Sequence, residues 1–201
     1  MPAGGNYRPN RKCPRCGSLE RYRMVLLYLT QEGVLRKPIH ILDMAPRQCL
    51  STLLKNIDKA TYISSDLNSP SAMVLSDLTG MGFKNDSFDL IICLHIMEHI
   101  FDDHAAYLEL HRLLKPGGLG LLMVPLSDKT TIESATGTPE DNEKLFGQFD
   151  HVRYYGLDIE ERMRSAGLEV EIIDMFTYFS EQECTRYALY GDDRFLIVFR
   201  K

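Results

Sequence analysis

Residues 88–125 constrain the fold more than any other stretch of this chain. An apolar run at 90–94 follows the turn cluster Lys84-Asn85-Asp86-Ser87. Short, uninterrupted apolar runs of this kind suit strands buried on both faces, as in a parallel sheet. A helical pattern follows over about 103–114, with Leu108, Leu110, Leu113 and Leu114 expected to face inward. Asp102 and Asp103 supply a cap and favourable negative charge at its start. Lys115-Pro116-Gly117-Gly118 stops the helix, and 119–124 reads as a second buried strand. Strand, helix, turn and strand make a βαβ unit, which crosses over right-handed.

Composition bounds the rest. At 201 residues the chain is expected to form one core, and 44% hydrophobic with 25% charged residues is ordinary for a globular protein. No apolar run approaches the roughly 20 residues of a membrane span, and no secretory pattern opens the chain. With five cysteines, an odd number, the expectation is reduced thiols and a cytoplasmic location, without a membrane partner. The net charge of −5 is uneven: Arg8, Arg11, Lys12, Arg15, Arg21 and Arg23 against Glu20 give +5 over residues 1–23, leaving −10 for the remainder. An acidic body argues against broad nucleic-acid binding, and the basic head reads as a solvated arm.

Along the chain, Cys13-Pro14-Arg15-Cys16-Gly17 has the form of a zinc knuckle. A structural zinc needs four ligands, however, and no second Cys or His pair follows, so no metal is expected. From about residue 18 an amphipathic helix carries Leu19, Met24, Leu27 and Tyr28 near one face and ends at Gly33. Residues 39–44, 60–65 and 73–76 read as strands, with a helix over 48–56 between the first two. Asp43 to Asp66 spans 23 positions, near the spacing of the acid that holds a ribose in dinucleotide folds. Its bland alternative is a strand-end turn with Asn68, Ser69 and Pro70. Leu94 and His95 end the fourth strand, at the switch point where open α/β sheets bind ligands. His95-Ile96-Met97-Glu98-His99 matches the H-x-x-E-H zinc-peptidase pattern, but His95 at a strand end need not share a helical face with His99, so this too gives no metal expectation. His99 should lie on the substrate side, as a general base or as a residue that packs the loop.

Residues 126–155 are polar with little periodicity, and they leave the carboxyl end of a central strand. Such long insertions are commonly lids. This one carries His151 and Arg153, for which the alternative is a structural insertion whose His caps the next helix. A helix over 156–166, with Leu157, Ile159, Met163 and Ala166 available to the core, then leads to strands at 168–173 and 194–199. These two are expected to pair antiparallel, since no full crossover helix separates them.

Three words, Asp86-Ser87-Phe88-Asp89-Leu90-Ile91, Met97-Glu98-His99-Ile100 and Leu113-Leu114-Lys115-Pro116-Gly117-Gly118, resemble the fourth- and fifth-strand region of class I S-adenosylmethionine-dependent methyltransferases of the type 11 kind. The resemblance covers residues 39–200. It implies an α/β, Rossmann-like seven-stranded mostly parallel sheet with helices on both faces and an antiparallel edge strand. It also implies a domain at 38–201 behind a covering arm and helix at 1–37. Its cofactor would be S-adenosylmethionine, held at Asp43, Met44, Ala45, Asp66, Leu67, Asp77, Leu78, Leu94 and His95. Asp66 would meet the ribose, and Asp77-Leu78 the adenine. Ala45-Pro46 stands where the family has a glycine-rich turn, as in a subset of type 11 enzymes. The implied activity is methyl transfer to a small-molecule acceptor, with a sugar or glycan intermediate as the candidate and His99 or His151 as base. The competing readings are an inactive scaffold, motivated by the glycine-poor turn, and an RNA-modifying enzyme, motivated by the basic head. A nicotinamide oxidoreductase is disfavoured because G-x-G-x-x-G is missing.

Overall fold

The computed structural model describes residues 11–191 and 193–201. The apolar runs, having no face to give to water, lie side by side in one sheet. Its strands are β1 (Ile39–Met44), β2 (Ala60–Asp66), β3 (Val74–Leu75), β4 (Phe88–Leu94) and β5 (Leu114–Met123). After a two-stranded ribbon of β6 (Ile132–Glu133) and β7 (Arg153–Tyr154), the sheet is completed by β8 (Glu169–Asp174) and β9 (Phe195–Arg200). The order is β3-β2-β1-β4-β5-β9-β8. The first five pair in parallel, and β9 is antiparallel to both β5 and β8. The reversed strand therefore sits one place in from the edge.

Side chains alternate across the pleat, and two cores result. On one face Leu42, Ile91, Cys93, Leu122 and Phe199 pack against α3 (Asp103–Leu113) and, after α4 (Pro139–Phe146) of the insertion, α5 (Ile159–Ser165). On the other, Ile39, Ile41, Leu90, Ile92 and Leu121 pack against α1 (Glu20–Gln31), α2 (Gln48–Lys55), α6 (Met175–Tyr178) and α7 (Glu181–Tyr187). The start of α3 is capped as expected, Ala105 N–H donating to Asp102 Oδ1 at 2.9 Å.

Several details differ from the sequence reading. Leu108 is exposed, because the buried stripe of α3 runs through Ala106, Tyr107, Leu110 and Leu113, and Leu108 falls outside that arc. On α1 the buried apolar residues are Met24, Val25, Tyr28 and Leu29, with Leu19 and Leu27 only half-buried. Leu157 is exposed, since α5 begins two residues after it. The turn Lys115–Gly118 is absorbed as a bulge in β5, whose pairing jumps from Phe88↔Leu114 to Leu90↔Leu119. The insertion is also ordered: Thr138 accepts a hydrogen bond from Asp141 N–H at the start of α4, and Gly147 closes it in the left-handed region.

Part of the basic head is docked rather than solvated, although Lys12 and Arg15 lie exposed. Arg11 pairs with Glu20, and Arg21 reaches Asp193 at 2.8 Å. The Arg23 guanidinium donates to the carbonyls of Ser18, Tyr187 and Ala188 at 2.7, 2.7 and 2.6 Å. The acidic and carbonyl-rich loop before β9 neutralises charge that sequence alone leaves unmatched. Arg8 and the rest of residues 1–10 lie outside the described residues. Gly17, at φ +71°, donates to the Cys13 carbonyl at 2.9 Å and closes the knuckle-like turn. Among the described residues no helix is long and apolar enough to cross a membrane.

Close approach requires glycine at 120: a Cβ there would stand 2.0 Å from the buried Phe199 ring. Gly120→Ala is expected to cost about 1–3 kcal/mol in urea unfolding, and Phe199→Leu in the same chain should return part of it. An unchanged midpoint would show that the sheet relaxes freely there.

Candidate active site

The register of β1 with β2 and β4 brings their carboxyl ends level, Met44 pairing with both Ser65 and Cys93. The residues that follow, Ala45, Asp66 and His95, therefore meet at the crevice where the strand order reverses. Ala45 takes the left-handed conformation, φ +48°, that the expected glycine would take freely. The strain is of order 1 kcal/mol, and the Ala45 N–H bond to Ser65 O at 2.8 Å holds the turn. Asp66 Oδ1 accepts from the N–H groups of Asn68 and Ser69 at 2.9 and 2.8 Å. Asp77 Oδ1 does the same for Thr79 N–H and Oγ1–H, both at 2.8 Å. Each carboxylate keeps Oδ2 without a hydrogen-bond partner among the described residues.

One cavity opens here, and it is lined by Met44, Ala45, Asp66, Leu67, Asp77, Leu78, His95 and His99. Ser65, Ser76, Ile96 and Ile100 complete the wall. These four were not singled out from sequence, although each lies within two positions of a residue that was. Two of the expected cofactor residues, and the candidate base His151, are not in the wall. Leu94 packs against the α1/α2 core. Asp43 is 2% exposed and accepts a hydrogen bond from Tyr62 Oη–H at 2.6 Å. Burial pushes its carboxyl up to about 6, against the opposing effects of the Tyr62 bond and the Lys55 charge.

His95 occupies a left-handed turn, φ +56°, with its N–H on Met123 O at 2.7 Å. Its ring lies between Asp193 Oδ1, 3.0 Å from Nε2, and Glu98 Oε1, 3.2 Å from Nδ1. Burial would lower the imidazole pKa, but the two carboxylates outweigh it and raise it. Burial would likewise raise Asp193, yet His95 and Arg21 hold it well below the usual carboxylate range. Asp193 has no sequence signal linking it to this site.

Beyond this pair stand His99 and His151, their rings edge-to-face with centroids 4.7 Å apart. His99 Nδ1–H donates to Asp150 O at 3.0 Å, and Val152 N–H donates to Glu98 O at 2.9 Å. These bonds dock the insertion against the loop after β4. His151 is buried, and burial lowers its pKa. Arg153, expected on the substrate side, points inward instead. It donates to the carbonyls of Ile100 and Phe101, the latter at 2.7 Å, and lies 3.8 Å from Asp103 and 3.2 Å from Glu133. A buried guanidinium has to be paired, and the loop carbonyls and Asp103 provide that pairing.

A sheet of this order with a cavity at its switch point is the class I methyltransferase fold. The comparisons agree: residues 27–122 match the family model of the methyltransferase domain. A 1,6-didemethyltoxoflavin-N1-methyltransferase of Burkholderia thailandensis, solved with its substrate and S-adenosylhomocysteine, superposes with TM-score 0.61 at 14% identity over 90% of this chain and 78% of that one. An S-adenosylmethionine-dependent methyltransferase of Archaeoglobus fulgidus gives 0.59 at 15% identity over 90% and 94%. A phosphoethanolamine N-methyltransferase of Haemonchus contortus with bound S-adenosylmethionine gives 0.62 at 17% identity over 96% and 54%. No curated protein sequence matches. The chain thus has the fold of class I methyltransferases, and its residues 27–122 are similar to the methyltransferase domain.

A carboxyl that is harder to ionise when folded makes the native state the stronger proton binder, so stability falls as pH rises from the unfolded pKa through about 6. Asp43→Asn should therefore gain on wild type by about 1–2 kcal/mol between pH 5 and pH 7.5 in chemical unfolding. A pH-independent difference would mean that Asp43 ionises normally.

Proposed function

We propose that this protein transfers a methyl group from S-adenosylmethionine to a small-molecule acceptor. The observation that carries the reading is the convergence of Ala45, Asp66 and Asp77 on one cavity from three separate strand ends. The donor set fits the cofactor. Asp66 and Asp77 each keep an unengaged carboxylate oxygen, suited to the ribose hydroxyls and the adenine amino group, and buried Leu78 offers apolar surface to the ring. The left-handed Ala45 turn keeps the backbone approach that the inactive-scaffold reading takes to be lost.

When bound, the cofactor supplies an activated methyl on a sulfonium, so the protein needs no strong nucleophile of its own. Its residues have three tasks. Asp66 and Asp77 orient, as does the Ala45 turn. The docked insertion, acting as a lid, keeps water from the crevice. Where the acceptor is a hydroxyl or amine, its proton is taken up at a histidine ring nitrogen. His99 stands in the cavity wall, and His151 behind it is kept neutral near pH 7 by its lowered pKa. We take the acceptor to be a sugar or glycan intermediate and the compartment to be the cytoplasm.

Titration calorimetry with S-adenosylhomocysteine tests the cofactor site. Wild type is expected to bind in the micromolar range, roughly −8 kcal/mol, and Asp66→Ala to weaken binding at least tenfold. A folded wild type that gives no heat would favour the scaffold.

A further inference from the structure

We propose that Glu98, His99 and His151 form a binding site for a divalent first-row transition ion, of the zinc class, at the rim of the cofactor cavity. One ligand atom from each residue lies within 4.8 Å of the others. That is close enough for one ion to meet all three after small side-chain rotations, since zinc binds imidazole nitrogen and carboxylate oxygen at about 2.0–2.2 Å.

Burial makes the cluster more than a chance grouping. Glu98 is 1% exposed, and neither of its carboxylate oxygens accepts a hydrogen bond; His151 is 4% exposed, and its Nδ1 has no hydrogen-bond partner. A buried carboxylate oxygen left without a partner is costly. His95 Nδ1 approaches Oε1 at 3.2 Å, which leaves Oε2 and the His151 nitrogen unmatched, and a cation between them would satisfy both. The hydrogen bond behind His99 agrees. Because a carbonyl only accepts, the His99 contact with Asp150 O places the proton on Nδ1 and the lone pair on Nε2. A ring nitrogen that donates to a backbone carbonyl is the usual arrangement of a metal-binding histidine. Asp150 Oδ2 lies 3.4 Å from the same nitrogen. Two imidazoles and one carboxylate favour zinc, iron or cobalt over magnesium or calcium.

The ligand set is not the helical H-x-x-E-H pair. His95 stays with Asp193, and the insertion supplies the second histidine. An ion there would clamp the lid to the loop after β4, and three protein ligands would leave positions open on the cavity side for a donor atom of the acceptor. That last role rests on the methyl-transfer reading and would replace proton uptake by the histidines. The site itself rests on geometry alone.

Cobalt(II) titration of the full chain, followed by visible absorption, with circular dichroism as the check on folding, tests the site. One equivalent is expected, with visible d–d bands and no thiolate charge-transfer absorption. Binding should weaken at least tenfold in Glu98→Gln and in His99→Ala, and persist in Cys13→Ser/Cys16→Ser. His99 is half-exposed, so its variant is expected to fold even should Glu98→Gln fail to. Absence of stoichiometric uptake by folded wild type, unchanged affinity in both site variants, or loss of binding with the cysteines would overturn the proposal. S-adenosylhomocysteine titration of the same metal-free protein reads the other hypothesis separately. Cofactor binding without cobalt uptake removes the ion site alone. Cobalt uptake without cofactor binding removes the methyl-transfer reading and leaves the ion site standing.

Discussion

The parallel pairing of β1 with β2 and β4 is the constraint on which the site depends. These strands are held between two hydrophobic layers, so a slip of one residue would exchange the two cores, sending Ile39, Ile41, Leu90 and Ile92 to the face of Leu42, Ile91 and Cys93. That sensitivity fixes the register, and the register sets Met44, Ser65 and Cys93 at one height. Where the three strands end together, Ala45, Asp66 and His95 enter the same crevice. The chemistry of the site follows from the hydrophobic sorting of strands whose own side chains take no part in it.

Two left-handed turns, at Ala45 and His95, sit at that crevice, and neither residue is glycine. Each is held by a backbone hydrogen bond to a neighbouring strand, Ala45 to Ser65 O and His95 to Met123 O. Strain of about a kilocalorie at each persists because the sheet around it is rigid. At Ala45 this keeps a glycine-like turn without glycine.

Charge organises what the sheet does not. Arg21, Asp193, His95 and Glu98 form a chain of contacts from the N-terminal segment through the loop before β9 to the loop after β4. A second set, Asp103 with Tyr155 and Arg162 and Glu133 with Arg153 and Arg162, fastens the insertion to α3 and α5. Buried ion pairs add little net stability. Here they decide where two segments without a strong apolar face come to rest, and so what closes over the crevice.

Hydrophobic period and turn chemistry act between near neighbours, which is why the strands of the sheet, the helix with its Asp102 cap, the left-handed stop at Gly33 and the βαβ unit are legible in the amino-acid order. The spacing from Asp43 to Asp66 and the switch-point rule likewise brought Asp66 and His95 into view, while Met44, Ala45, Leu67, Asp77 and Leu78 came from the family resemblance. Contacts between residues far apart in the chain were not legible there. Asp43 looks like a cofactor ligand in one dimension, and its buried hydrogen bond to Tyr62 is visible only in three. Arg153 reads as a substrate-side cation and lies against loop carbonyls. The insertion appears shapeless and carries a capped helix and a ribbon. His151 reaches Glu98 and His99 only because that insertion folds back over the sheet, and Asp193 finds His95 across nearly half the chain. No local pattern records such meetings, since they depend on how whole elements pack and on which buried charges must find a partner once they do.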